Sequence, residues 1–355
     1  MKQLIYIKNY CESYLRSYKK LYQKEPKKEE TYRDFGILNP AIGSLNLGDL
    51  IIYDSVYKVL RKIFEKDIFI NFPTQIHTSF DAKLSMSQRD LLFVSGTNLL
   101  SSNLETRNQW KIDNSHKRFL KNKVVLIGCG WWQYQDEINN YTAKIYRSVL
   151  NNELIHSARD NYTVEKLNSI GIRNVLNTTC PTFWEITPEK CKKIKKTKER
   201  KVVTTLTFYK RNSVDDKRML EILSRNYDTV FLWLQSYDDL VYLNEIQDGI
   251  QNIEIIPPTL EAYDMLLKKG GVDYVGTRLH AGARALQNNI RTLILAVDNR
   301  AVEIGKDINL NVIKREDVEQ IQAFINGSYE TLISLPNENI QKFKEHLIDV
   351  RRYTI

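Results

Sequence analysis

From residue 35 to residue 325, short apolar runs alternate with amphipathic segments, and the alternation stops once, at a Lys-rich stretch near residues 187–200. This pattern constrains the fold more than any single motif. A short apolar run bounded by polar residues reads as a strand covered on both faces, which belongs in a parallel sheet. In the first half, runs 67–70, 91–94 and 124–127 have this character, 154–157 is a fourth, and the apolar stretch 35–38 precedes them. Segments 49–64 and 161–169 between them have helical spacing. After the Lys-rich joint the pattern restarts: 202–208, 230–234, 253–256, 272–275 and 292–297 are strand-like, while 215–224, 260–268, 281–287 and 318–325 are helix-like. Repeated strand–helix–strand units imply right-handed crossovers and a parallel sheet. Two such series predict an α/β protein of two Rossmann-like domains facing a cleft, with ligands held at the carboxyl ends of the strands. The chain of 355 residues is long enough for both cores. We place the N-terminal domain at 1–188, a basic linker at 189–201, the C-terminal domain at 202–335, and a closing helix at 336–355 that packs back on the first domain.

Charge and cysteine usage narrow the setting. The formal charge is +9, and Lys190, Lys192, Lys193, Lys195, Lys196, Lys198, Arg200 and Lys201 stand together against Glu189 and Glu199. Such a run is usually a solvated, flexible joint. It could also touch phosphate or an anionic membrane surface. No zinc-finger spacing or RNA-binding aromatic motif accompanies it, so nucleic acid is not expected as a partner. Cys11, Cys129, Cys180 and Cys191 form no C-x-x-C pair and read as scattered reduced thiols. Residues 1–28 are charged throughout and lack the apolar centre of a signal peptide. No apolar run of about 18 residues suggests a membrane span. A cytoplasmic protein is expected, with peripheral contact at the inner membrane face through 190–201 as a further expectation.

Five constellations fall at strand-to-helix turns. Ser44-Leu45-Asn46-Leu47-Gly48-Asp49 follows the first apolar stretch and opens a helix, a place where free N–H groups meet anions; Asn46 or Asp49 could equally serve as a helix cap. Ser95-Gly96-Thr97-Asn98 and Gly128-Cys129-Gly130-Trp131-Trp132 follow the next two strands. Neither completes G-x-G-x-x-G, which disfavours a nicotinamide cofactor. The tryptophans could stack on a sugar face or simply pack. Ser157-Ala158-Arg159-Asp160 puts a forked cation at a helix start, where it is electrostatically disfavoured unless something anionic compensates. Gly276-Thr277-Arg278-Leu279-His280 joins a cation to an imidazole at a strand end, suited to holding a phosphate while moving a proton; Arg284, one turn on, could reach the same region. Val297-Asp298-Asn299-Arg300 adds a last cation at this edge. No H-E-x-x-H, Walker loop or G-x-S-x-G appears, so metal, ATP and serine-hydrolase chemistries lack a motif.

Taken in order, these features resemble the polysaccharide pyruvyltransferase family, whose members show an N-x-G-D loop, a Gly-rich strand end, S-x-R-D, a D-P-A-F-like segment, G-x-R-x-H and D-x-K. Here they stand as Asn46 to Asp49, Ser95-Gly96-Thr97, Ser157 to Asp160, Cys180-Pro181-Thr182-Phe183, Gly276 to His280, and Asp298-Asn299-Arg300. The chain departs from the pattern at Cys180 (for Asp), at the single glycine Gly96, and at Arg300 (for Lys). The resemblance implies a glycosyltransferase-B-like pair of domains, with acceptor on the N-terminal side and donor on the C-terminal side. It implies transfer of a pyruvyl group from phosphoenolpyruvate to two hydroxyls of a sugar, giving a cyclic ketal in bacterial surface-glycan synthesis. No cofactor beyond phosphoenolpyruvate as co-substrate, and no metal, is implied. The acceptor could be lipid-linked. His280 is then the acid/base, Arg159, Arg278 and Arg300 bind donor, and Asn46, Gly48, Asp49, Gly96 and Thr97 shape the opposite wall. Two alternatives remain: a glycosyltransferase using a nucleotide-sugar donor on the same fold, and a non-catalytic glycan-binding relative.

Overall fold

The computed structural model describes residues 2–20 and 32–353. Of the charged stretch 1–28, residues 1 and 21–28 lie outside the described residues, as do 354–355 of the closing helix range. The first parallel sheet contains β1 (Asp34–Asn39), β2 (Ile68–Pro73), β3 (Leu92–Ser95) and β4 (Val124–Ile127) in the order β2-β1-β3-β4. Strands β5 (His156–Ala158) and β6 (Val175–Asn177) pair with each other, and a bridge from Cys129 to Ala158 carries them on from the β4 edge. The second sheet holds β7 (Lys201–Thr204), β8 (Thr229–Trp233), β9 (Ile253–Ile256), β10 (Val272–Gly276), β11 (Thr292–Ala296) and β12 (Val312–Lys314), ordered β12-β11-β10-β7-β8-β9 and parallel throughout. The protein is thus α/β with two Rossmann-like sheets. Strand order reverses between β1 and β3 and between β7 and β10. A doubly wound sheet opens its ligand crevice at such a reversal.

The two crevices face each other because two helices meet. Helix Leu47–Ile63 starts at the end of β1 with Asn46 as N-cap, and it buries Ile51, Ile52, Val56 and Leu60. Helix Leu279–Gln287 starts at the end of β10 and buries Leu279, Ala281, Ala283 and Leu286. All eight side chains belong to one core that crosses between the domains. The small residues of the second helix let the first approach closely, and Arg284 Nη1 bonds Asp54 at 2.9 Å across the join. The closing helix Asn337–Tyr353 buries Ile340, Phe343, Leu347 and Val350 in the same core. Its Phe343 ring lies 6.0 Å from Trp184, and Asn339 Nδ2 donates to the Asn177 carbonyl at 2.9 Å. It therefore packs on the N-terminal domain.

Several expectations need correction. Strand β5 begins two residues later than 154–157, ends one residue later, and pairs with β6, which is too short to show a pattern in sequence. Strand β7 stops at Thr204; residues 205–207 leave the sheet, with Thr205 and Thr207 buried beneath the cleft. The basic joint is an ordered, packed segment rather than a loose one. Thr187 caps a short helix Pro188–Cys191, and Cys191 and Ile194, three apart, insert into the shared core while the lysines between them face solvent. Lys201 already belongs to β7. Helix Asn299–Ile308 went unforeseen because only Ala301, Ile304 and Ile308 mark its buried side.

Candidate functional site

The turns after β1, β2, β3, β4, β7 and β11 line a cleft of about 610 Å³ between the domains. Its mouth is bordered by Asn46, Asp49, Gln75, Thr97, Arg107 and Trp132 on the N-terminal side and by Tyr209, Lys210, Asp298 and Arg300 on the other. Beneath it lies a recess of only about 20 Å³ against Thr277, Arg278 and His280. Asn46, Tyr209, Asp298 and Arg300 border both spaces. A volume that small holds about one water.

On the N-terminal wall, Asn46 accepts from Gly48 N at 3.1 Å and so caps its helix. Asp49 is 5% exposed and fully engaged: Oδ2 takes the Ser44 hydroxyl at 2.6 Å and Gln75 Nε2 at 3.1 Å, and Oδ1 takes the Thr97 hydroxyl at 2.7 Å. It ties three turns into one wall. Gly96 and Thr97 both have positive φ, +73° and +60°. A Cβ at Gly96 would stand 2.4 Å from Ile52 Cγ2, so glycine is needed there for the turn rather than for a ligand. Of the two tryptophans, Trp131 is core and Trp132 lines the mouth, with the Arg107 guanidinium stacked 4.1 Å from its ring centre.

Arg159 is not on the surface of the cleft. It is 1% exposed and lies across Gly130, where a Cβ would come within 2.1 Å of its Nε. Its Nε bonds Asp160 at 3.1 Å, and Nη2 reaches the Trp131 carbonyl at 3.3 Å and Asn98 Oδ1. Nη1 has no hydrogen-bond partner among the described residues. Its charge is still felt at His280 and Asp298. Direct presentation on the cleft wall is thus corrected to a buried cation behind it. Arg284 is also redirected: it faces Asp264 and Asp54 on the far side of its helix, with Nη2 to Asp264 at 2.6 Å and Nη1 to Asp54 at 2.9 Å.

The C-terminal wall is tightly bonded. Arg278, 4% exposed, donates from Nε to the Leu206 carbonyl at 2.7 Å and from Nη2 to both oxygens of Asp239 at 2.9 and 3.1 Å. Its Nη1 reaches Asn46 Oδ1 across the cleft at 3.5 Å, and Tyr209 stacks on it at 4.8 Å. Arg300 Nε bonds Asp298 at 3.0 and 2.9 Å, and Nη2 bonds the Tyr209 hydroxyl at 3.1 Å. Between these cations sits His280, 5% exposed, its Nε2 3.7 Å from Cys180 Sγ. Burial, then Arg300 and Arg159, push its proton affinity well below that of a free imidazole, so the ring is neutral. Burial likewise raises Cys180, which keeps the neighbouring sulfur a thiol. Thr182 Oγ1 donates to that sulfur at 3.2 Å.

Asn46, Gly48, Asp49, Thr97, Arg278, His280 and Arg300 therefore meet around one cleft, while Gly96 and Arg159 support it from behind. Two residues escaped sequence reasoning. Asp239 looks like an ordinary helix-start acid three residues after Ser236, which caps that helix; it also receives Phe208 N and Gln235 N at 3.2 and 3.0 Å. Tyr209 lies in a single 3-10 turn, Phe208–Lys210, and only its aromaticity beside a strand end could have drawn notice. Among the described residues, no group of three or more His, Cys, Asp or Glu could hold a metal ion. Two cations lining the recess, Arg278 and Arg300, each matched by its own carboxylate, can receive an anionic group beside His280 without leaving charge unpaired when empty.

A family model described as polysaccharide pyruvyl transferase matches residues 46–299, from the first cleft turn to the last. No curated protein matches the chain. Solved structures of similar outline include a UDP-GlcNAc 2-epimerase from Neisseria meningitidis bound to UDP-GlcNAc, at 10% identity and TM-score 0.49, covering 89% of this chain and 98% of that one. Another is the Methanocaldococcus jannaschii UDP-GlcNAc 2-epimerase, at 12% identity and TM-score 0.47, covering 90% and 98%. A glycosyltransferase from Rickettsia africae aligns at 12% identity and TM-score 0.44, covering 91% and 94%.

Proposed function

The chain belongs to the polysaccharide pyruvyl transferase family, and on that premise we propose that it transfers the pyruvyl group of phosphoenolpyruvate to two hydroxyls of a sugar, forming a cyclic ketal and releasing phosphate. The observation that carries this reading is that His280 shares one recess at the floor of the cleft with Arg278 and Arg300. Phosphoenolpyruvate brings a carboxylate and a phosphate, and forked guanidiniums suit both. The enol carbon takes a proton, which leaves an oxocarbenium-like centre at C2. One sugar hydroxyl adds to C2 and loses its proton. The second hydroxyl then displaces phosphate, whose departing charge the arginines stabilise. A neutral imidazole is the right form to accept a hydroxyl proton, and the negative donor beside it raises its proton affinity at the moment it is needed.

The acceptor belongs in the mouth. Trp132 offers a ring face, and Gln109 and Gln133 offer amides that both donate and accept, as sugar hydroxyls do. We assign the acceptor to a surface-glycan intermediate met at the cytoplasmic face of the membrane, lipid-linked acceptors included, with the exposed lysines of 190–201 available to anionic headgroups. Calorimetry with phosphoenolpyruvate, UDP-sugars and GDP-sugars tests the donor: phosphoenolpyruvate should bind and the nucleotide sugars should not. Phosphate release against a panel of hexosides then tests turnover. His280→Ala should lower turnover about 10²–10⁴-fold while donor affinity is kept. Binding of a nucleotide sugar in place of phosphoenolpyruvate would assign the cleft to glycosyl transfer, and ligand binding indifferent to His280→Ala with no turnover in any assay would assign it to a glycan-binding role.

A further inference from the structure

Helix Lys2–Lys20 exposes what a core helix hides. Leu4, Ile7, Cys11, Tyr14 and Tyr18 recur at alternating steps of three and four, so they form one stripe, with Tyr10 and Leu15 beside it. Lys8, Glu12, Arg16 and Lys19 recur at steps of four, four and three along another face, on which Ile5, 54% exposed, is the one aliphatic residue among the described side chains. In a globular domain the apolar stripe would be the buried one. Here Leu4 is 71% exposed, Tyr10 67%, and Ile7 and Leu15 58% each. The rings of Tyr14 and Tyr18 approach Phe80 at 5.0 and 5.9 Å, yet remain 47% and 38% exposed. A cluster of this kind marks an interaction surface.

Charge identifies the partner. Lys8 and Arg16 share the single carboxylate of Glu12, at 3.8 and 3.5 Å, which leaves the described charges of the helix in cationic excess. A second copy would set like charge against like in a chain of formal charge +9. An anionic bilayer surface is the complement, and a helix with aliphatic and tyrosyl residues on one side and Lys and Arg on the other lies in its headgroup boundary. No helix among the described residues is long and apolar enough to cross a membrane. The basic stretch 190–201 differs in kind: its apolar residues Cys191 and Ile194 are buried, so it can attract headgroups but has nothing to insert.

We propose that helix Lys2–Lys20 is an interfacial membrane helix that seats its Leu4–Ile7–Leu15 side in an anionic bilayer and tethers the protein to that surface. The inference is independent of the reaction assigned to the cleft. Flotation of the full chain with phosphatidylcholine vesicles, with and without phosphatidylglycerol, tests it. Binding should require the anionic lipid and weaken with salt. L4E/I7E/L15E should lower the bound fraction about tenfold or more while the far-UV spectrum and unfolding midpoint stay unchanged. K192E/K193E/K195E should change it less than about threefold, the loss expected of screened charges alone. Three results overturn the proposal: no binding to anionic vesicles, binding indifferent to L4E/I7E/L15E, or loss of binding through the 192–195 variant alone. Light scattering adds a fourth: a dimer that L4E/I7E/L15E dissociates would assign the stripe to self-association.

Discussion

The two walls of the cleft are built on opposite principles. On the C-terminal side, each cation facing the recess is matched to a carboxylate, Arg278 to Asp239 and Arg300 to Asp298, and the imidazole of His280 beside them is neutral. On the N-terminal side, Asp49 is spent on holding three turns together, and the groups left facing the mouth are amides, an aromatic ring and the stacked Arg107. The first wall fixes charge in a dry setting, where each misplaced atom is costly. The second offers uncharged hydrogen bonding near solvent, where a change of partner costs little. The transfer proposed for this cleft, from an anionic donor to a polyhydroxyl acceptor, calls for this division.

The comparison breaks most visibly at Arg278. Arg278→Met should strand the buried Asp239 and destabilise the fold by about 3–5 kcal/mol in urea unfolding. It should also weaken phosphoenolpyruvate about 100-fold or more. Adding Asp239→Asn removes the stranded charge and should restore most of the stability without restoring donor affinity. If stability and donor affinity recover together, the ion pair is architectural and the donor lies elsewhere.

A smaller effect is expected at Cys180, which sits beside His280 where the family pattern has Asp. Cys180→Asp puts an anion within reach of the imidazole and should raise its pKa. The sign follows from which form works: a base must be neutral, so activity should now be lost at a higher pH as the solution is acidified. A proton-NMR titration of His280 reads the same shift with no substrate present. An unmoved titration would mean that the sulfur and the ring are neighbours without influence. The mildest change belongs to the permissive wall. Trp132→Ala should raise the acceptor KM about tenfold and leave donor binding alone. A matching loss of donor affinity would show that the walls are not separate.

Much of this architecture was legible in the sequence, since buried parallel strands announce themselves as apolar runs and the turns after them carry Gly, Asn, Arg and His. Seven candidate positions converge on one cleft for that reason. Sequence could not show where a side chain goes after it leaves its turn. Arg159 and Arg278 both sit at a strand end before a helix, yet Gly130 gives the first a buried bed and the cleft receives only the second. Asp239 stayed hidden because helix starts favour acids for local reasons, and its pairing with Arg278 spans 39 residues. Cys180 and His280 are 100 residues apart, so the contact that gives the Cys departure its meaning exists only once the domains have closed on each other. The joint at 187–200 misled in the other direction: two apolar residues three apart outweighed a row of lysines.

The small recess carries a kinetic consequence. It has room for about one water, so Arg300, Tyr209 or Asn46 must shift before a donor can settle on His280, and those side chains also form the floor of the mouth. A saccharide already seated there would clamp the floor shut. For the transfer proposed here, turnover should then be ordered, donor before acceptor and ketal product out before phosphate, and excess acceptor should inhibit by competing with the donor.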